Sequence, residues 1–204
     1  MKEKILLALL VFVLAGALWT CLGVKKGVDV SHYNAVRWSN MPGDVRFCYI
    51  KMTEGNHFVD NQHPFHNAKA RKRGVATGFY HYFRTSASGK SQFELFNSHL
   101  KKSEYDLVPV IDVEDKGNKF TPQGVENLKE LCELFKGEYG RYPVIYYGGW
   151  KAFYKTFPYT WNMTYWVRDV PGFCIYQKHH TEHLGGCDID VDYCLDMSRI
   201  AKDW

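Results

Sequence analysis

Residues 108–114 read Val108-Pro109-Val110-Ile111-Asp112-Val113-Glu114, a short run dominated by β-branched residues that ends by alternating acid with valine. A run this short and this rich in Val and Ile is a strand rather than a helix. Successive side chains of a strand point to opposite faces, so Asp112 and Glu114 share one face and Val113 takes the other. Downstream, Thr121-Pro122 forms an N-cap with proline at the first helical position, and Val125, Leu128, Leu131, Cys132 and Phe135 follow helical spacing within 121–137. Another apolar run, PVIYY at 143–147, comes next. Strand, helix, strand is the unit of a parallel sheet.

The pattern extends in both directions. Runs rich in β-branched and aromatic residues occur at 27–31 (GVDVS), 47–52 (FCYIKM), 75–83 (VATGFYHYF), 164–168 (TYWVR), 173–177 (FCIYQ) and 189–193 (IDVDY). Helical patterns lie at 64–73, opened by Pro64, and at 88–102, where Phe93, Phe96 and Leu100 share a face. With 108–113 and 143–147 these make about eight strands, which predict an α/β fold: a single-domain, modified βα (TIM-like) barrel with fewer, shortened helices.

At 204 residues, 46% hydrophobic, 24% charged and 16% aromatic, the chain is globular, which excludes a disordered tail or a fibre. The formal charge of +4, from 26 basic and 22 acidic residues, is small and scattered and gives no reason to expect a nucleic-acid partner.

Residues 5–24 hold no charge and follow Lys2 and Lys4, the arrangement of a secretory signal. Ala15-Gly16-Ala17 places cleavage after Ala17, and loss of Lys2, Glu3 and Lys4 then leaves a charge of +3. The alternative is an uncut anchor, since about 20 apolar residues cross a bilayer, with Lys25-Lys26 at the interface. Trp19 and Thr20 fit poorly before a lipidated Cys21. The expected organisation is therefore 1–24 as signal peptide or N-terminal membrane anchor and 25–204 as the barrel. The protein is expected to be exported: secreted, periplasmic, or tethered to the outer side of the membrane.

Cys48, Cys132, Cys174, Cys187 and Cys194 lack the paired spacing of structural zinc sites, and no metal is expected. Cys48 and Cys132 read as core, while the trio Cys174, Cys187 and Cys194 offers a disulfide whose pairing is open.

The acids carry the chemistry. Asp29 lies within GVDVS, and Asp190 and Asp192 within IDVDY, each alternating with Val or Ile. A barrel gathers the C-terminal ends of its strands around one mouth, so acids ending the first, fourth and eighth strands meet there. Asp192, followed by Tyr193, Cys194 and a polar tail, reads as structural. Two acids amid Val108–Val113 are costly unless a polar cavity receives them. Carboxyls raised in pKa by apolar walls and by one another act as general acids, and glycoside hydrolysis uses such a pair. Tyr33, Tyr80, Tyr82, Phe83, Tyr147, Trp150 and Trp166, near strand ends, suit stacking on sugar rings, although part of this set fills a core.

Five ordered motifs resemble those of glycoside hydrolase family 25, the CH-type lysozymes: Gly27–Ser31, Tyr49–Gly55, Gly78–Phe83, Pro109–Glu114 and Ile189–Asp192. The resemblance spans about residues 27–194. It implies a modified βα barrel, no cofactor, and cleavage of the β-1,4 bond between N-acetylmuramic acid and N-acetylglucosamine in peptidoglycan. It implies Glu114 as general acid, Asp112 as its partner toward the substrate acetamido group or developing charge, and Asp29 and Asp190 as two further active-site acids. Tyr80, Tyr33, Lys51, Glu54, Tyr147, Trp166 and Gln177 are the expected substrate-binding positions, with Lys51 and Glu54 equally readable as a structural ion pair. Met52, Tyr82, Cys194 and the His-rich loop 179–183 depart from the family pattern and bear on loop shape and substrate preference.

The expected partner is thus a peptidoglycan glycan strand, acted on by a monomer, with a membrane tether if the N-terminal segment is retained. The alternative is a non-catalytic peptidoglycan-binding module on the same fold. A further alternative has the four acids holding Mg²⁺ or Ca²⁺ through oxygen ligands, which a chelator tests. His179, His180 and His183 read as a solvated loop, and Asn162-Met163-Thr164 is formally a glycosylation acceptor.

Overall fold

The computed structural model describes residues 23–114, 116–119, 121–147, 165–168, 174–178 and 181–202. Nearly all of the 1–24 segment, Trp150, Asn162, His179 and His180 lie outside the described residues. Among the described residues no helix is long and apolar enough to cross a membrane.

The strands are β1 (Lys25–Val30), β2 (Val45–Glu54), β3 (Phe58–Val59), β4 (Ala76–Tyr82), β5 (Val110–Val113), β6 (Val144–Tyr147), β7 (Tyr165–Arg168), β8 (Ile175–Gln177), β9 (Glu182–Leu184) and β10 (Cys187–Cys194). Three α-helices are described: α1 (His63–Lys72), α2 (Gly89–His99) and α3 (Pro122–Tyr139). Pairing runs β1-β10-β8-β7-β6-β5-β4-β2 and returns from β2 to β1, so the sheet closes on itself. The closed ring consists of the strands expected from sequence, with β3 and β9 added as hairpin partners of β2 and β10.

One expectation changes. β10 runs antiparallel to both of its ring neighbours, β1 and β8. A parallel return needs a crossover of a dozen or more residues, and the link from Gln177 is occupied by the β9–β10 hairpin. Its turn, Gly185-Gly186, has φ of +61° and +85°, the left-handed pair that a two-residue hairpin demands. β10 therefore descends from the mouth toward the floor, and Asp190 reaches the mouth from within the strand rather than from its C-terminal end.

Alternation divides the ring into two faces. The outer face packs Val28, Ile50, Met52, Phe79, Ile111, Val113 and Ile145 against Ala70 of α1, Phe96 of α2 and Leu128, Leu131 and Phe135 of α3. The inner face holds Phe47, Tyr49, Val110, Val144, Tyr146, Trp166 and Cys194. A Cβ on Gly27 would lie 2.2 Å from the Phe47 ring, and one on Gly78 would lie 2.5 Å from Tyr49, so glycine on β1 and β4 admits two rings into the barrel interior. Thr121 caps α3 by accepting a hydrogen bond from the Gly124 amide at 3.1 Å, as its sequence position predicts. The five described cysteines are free thiols. Cys174, just before β8, donates its thiol to Asp196 O at 3.4 Å and lies beside Cys194 at the β8–β10 seam, while Cys187 begins β10.

Candidate active site

The mouth is a cleft of about 430 Å³ lined by residues from the ends of β1, β2, β4, β5, β6 and β7 and from β10. Strand register sets its layout. Glu54 ends β2 beside Tyr82 of β4, which lies beside Asp112 of β5, then Tyr146 of β6, then Trp166 of β7. Across the ring, Asp29 of β1 is paired with Asp190 of β10. Asp29, Asp112, Glu114 and Asp190 all line the one cleft, together with Tyr33, Lys51, Glu54, Tyr80 and Trp166.

Asp112 is 8% exposed, and its Oδ1 has no hydrogen-bond partner among the described residues. Burial first, then the charges of Glu114 and Asp29, push its carboxyl well above the ordinary carboxylate range, with Lys51 pulling the other way. Glu114 follows β5 on the same inward parity and is more open to the cleft. Asp29 Oδ2 accepts a hydrogen bond from Gln177 Nε2 at 2.8 Å. Burial and the charges of Asp29 and Asp112 raise Tyr80 well above the usual phenol range, so it meets a ligand as a neutral hydroxyl.

The β2–β4 wall between Asp29 and Asp112 is cationic but internally compensated. Lys51, only 6% exposed, donates to Glu54 Oε2 at 2.5 Å and sits 4.9 Å from the Tyr82 ring centroid. Arg84 also pairs with Glu54 and lies 4.7 Å from the centroid of the same ring. Burial raises the Glu54 carboxyl, but hydrogen bonds from Lys51 and Arg84 outweigh it and hold the net value low. The Lys51–Glu54 pair is thus both structural and part of the cleft. Tyr33 stands at the rim, 82% exposed, its ring 3.9 Å from that of His32, which Asp60 anchors at 2.7 Å.

Two expected positions differ. Tyr147 points outward, 2% exposed, into the layer beneath the helices. The run Val144–Tyr147 is buried on both faces, so its sequence carries no sign of which alternate residues face inward. Tyr146 is the inward one, and its edge meets Trp166 at 5.1 Å. Gln177 lies behind the wall, accepting from Tyr146 Oη at 2.5 Å while donating to Asp29. Sequence reading also missed Ser31, Asn34, Arg84 and Lys116 in the lining. Tyr146 joins them, placed inward by its register with Asp112. Asp192, read as structural from sequence, is wholly buried beside Asp29 and belongs to the site's underside.

The family model for glycosyl hydrolases family 25 matches residues 28–181. Lysozyme M1 of Streptomyces globisporus is 26% identical over 195 residues, covering 82% of this chain and 66% of that protein. The uncharacterized protein YegX of Escherichia coli strain K12 is 29% identical over 137 residues, and the match covers 64% of this chain and 50% of YegX, so this chain spans about half that relative's length. A solved family 25 glycosyl hydrolase from Bacillus anthracis superposes with a TM-score of 0.72 at 26% identity, over 83% of this chain and 88% of that one. With a barrel that gathers four acids at one mouth and a family match along most of its length, the chain belongs to glycosyl hydrolase family 25.

Proposed function

We propose that the protein is a lysozyme-type hydrolase that cleaves the β-1,4 bond between N-acetylmuramic acid and N-acetylglucosamine in bacterial peptidoglycan. The observation that carries this reading is the convergence of Asp29, Asp112, Glu114 and Asp190 on one cleft. The Asp112 carboxyl is biased toward its protonated form there. The names of the relatives, lysozyme M1 and a family 25 hydrolase, point the same way.

In this reading the Asp112–Glu114 pair holds a proton that Glu114, the member open to the cleft, delivers to the leaving glycosidic oxygen. Asp112 stays beneath and, once the pair's proton has passed through Glu114, is the carboxylate that receives the acetamido N–H or balances charge at the sugar carbon, where water adds and returns a proton to the pair. Asp29 and Asp190 complete the acidic wall, while Tyr80, Tyr82, Trp166 and rim residue Tyr33 offer hydroxyls and ring faces to the sugars. Residues 1–24 act as an export signal or anchor, delivering the barrel to the side of the membrane where peptidoglycan lies.

The test is hydrolysis of purified peptidoglycan by the full chain and by Glu114→Gln, in the presence of a chelator. New reducing ends at muramic acid are expected from the wild type. The variant should fall by about 10²-fold or more, the contribution of a positioned general acid, while still binding glycan. Equal turnover by both proteins would remove Glu114 from its role, and loss of wild-type activity in chelator would favour a metal-dependent hydrolase.

A further inference from the structure

Asp192 stands beneath the acidic wall. On descending β10 it lies opposite Gly27 of β1 and Gln177 of β8, below the Asp29–Asp190 pair. It is 0% exposed, and neither of its oxygens makes a hydrogen bond of ordinary geometry among the described residues. An ionised carboxylate there, without donors, is among the costliest groups a protein can bury. The groups acting on it come from every side. Asp29 faces it from β1, Trp166 from β7, Gln177 from β8, and Asp190 and Cys194 lie on its own strand. Cys48 and Tyr49 of β2 lie within electrostatic range of it. The charged members of this set, Asp29 and Asp190, are both acids.

Asp29 is differently placed. It lines the open cleft, and Gln177 Nε2 donates to it, which suits an ionised acceptor. Gln177 is in turn fixed by Tyr146. Of the two adjacent carboxyls, Asp29 has solvent and an amide donor at 2.8 Å, whereas Asp192 has no solvent and only the Trp166 indole beside it, whose N–H makes no hydrogen bond of ordinary geometry among the described residues.

We propose that Asp192 is a positioning residue that remains a neutral carboxylic acid and offers its hydrogen to the Asp29 carboxylate from below, so that Asp29 meets the glycan ionised and held in one orientation. Burial, the Asp29 and Asp190 charges and the contact with Asp29 all push the Asp192 carboxyl up, opposed in part by the Trp166 indole. The catalytic half of this inference rests on the glycan-cleaving reading, whereas the protonation of Asp192 does not.

Carbon-13 carboxyl NMR on the aspartate-labelled full chain reads the proton directly, with Asp192→Asn and Asp29→Asn assigning the resonances. The Asp192 signal is expected to keep its protonated shift from pH 4 to 7. A signal titrating near the ordinary aspartate value of about 4 overturns the proposal. Kinetics supply the second arm. Asp192→Leu cannot donate, so the acid limb of the pH profile should move up by about one unit and kcat should fall with KM little changed. Asp192→Asn still donates, and should restore most of that loss. Identical profiles for the Leu and Asn variants would sink the positioning role. Should Asp192→Leu not fold, the NMR arm still decides, and should the wild type prove inactive, the glycan reading fails while the NMR result still stands or falls alone.

Discussion

At the scale of single residues, Asp112 shows how a site trades stability for chemistry. Its carboxyl is raised in the folded protein by burial and by Glu114. The folded state therefore binds more protons than the unfolded chain above pH ~4, and stability falls as pH climbs from there toward the raised value. Asp112→Asn removes this loss. Calorimetry should show the variant melting above the wild type at pH 7, with the gap closing toward pH 3.5, while hydrolysis falls by about 10²-fold. A variant with a lower melting temperature at pH 7 would mean that Asp112 is held ionised by partners. The inward parity of Asp112 and Glu114 was legible in Val110–Glu114 because acids alternate there with valine. That of Tyr146 was not, because Val144–Tyr147 is apolar on both parities and burial on both faces erases the period.

At the scale of elements, the helices are placed by close approaches as much as by apolar stripes. Gly89, at the start of α2, lies against the backbone of α3: a Cβ there would come 2.3 Å from Asn127 O and 2.5 Å from Leu131 N. Backbone cannot swing aside, so Gly89→Ala should force α2 from α3 and destabilise the protein by about 2 kcal/mol. Gly137, within α3, has nothing within 4 Å of its Cβ position. Gly137→Ala should instead stabilise by about 0.5–1 kcal/mol through helix propensity and a less free unfolded chain. Urea unfolding of the two variants checks both signs, and matching shifts would refute the close-approach account. The N-cap was the legible part of these elements, since Thr121-Pro122 marked the start of α3, whereas its end at Gly140, φ +76°, is seen only in the structure. The contact at Gly89 was not legible, since it depends on how two helices cross.

For the whole molecule, the join between barrel and helical layer contains a titrating group. His81 of β4 is fully buried on the outer face, its Nδ1 2.8 Å from Thr53 Oγ1 and its Nε2 3.0 Å from Gln92 Oε1 of α2. Gln92 also donates to the carbonyls of Arg84 and Ala87, so its oxygen is the acceptor and His81 Nε2 is the donor. Burial lowers the His81 pKa to about 4 despite that hydrogen bond. The unfolded imidazole titrates near 6.5, so stability present above that pH is lost as pH falls toward 4. The loss is on the order of 3 kcal/mol. Melting temperatures from pH 7.5 to 4 should fall more steeply for the wild type than for His81→Gln, whatever the variant's starting stability. Parallel curves would mean that His81 is not the acid-sensitive joint.

From the sequence alone follow the strands of the ring, the three helices, the N-cap of α3 and the parity of the Asp112–Glu114 pair. These follow from local rules: β-branched runs extend, Thr-Pro starts a helix, and alternation sends acids one way and valines the other. Tertiary structure decided the direction of β10, the inward choice of Tyr146 over Tyr147, the withdrawal of Gln177 behind Asp29, and the burial of Asp192. Each depends on which strand lies alongside at a given height in the closed ring. Asp192 has local surroundings much like those of Asp190, and only the seams with β1 and β8 leave one acid at the mouth and put the other beneath it.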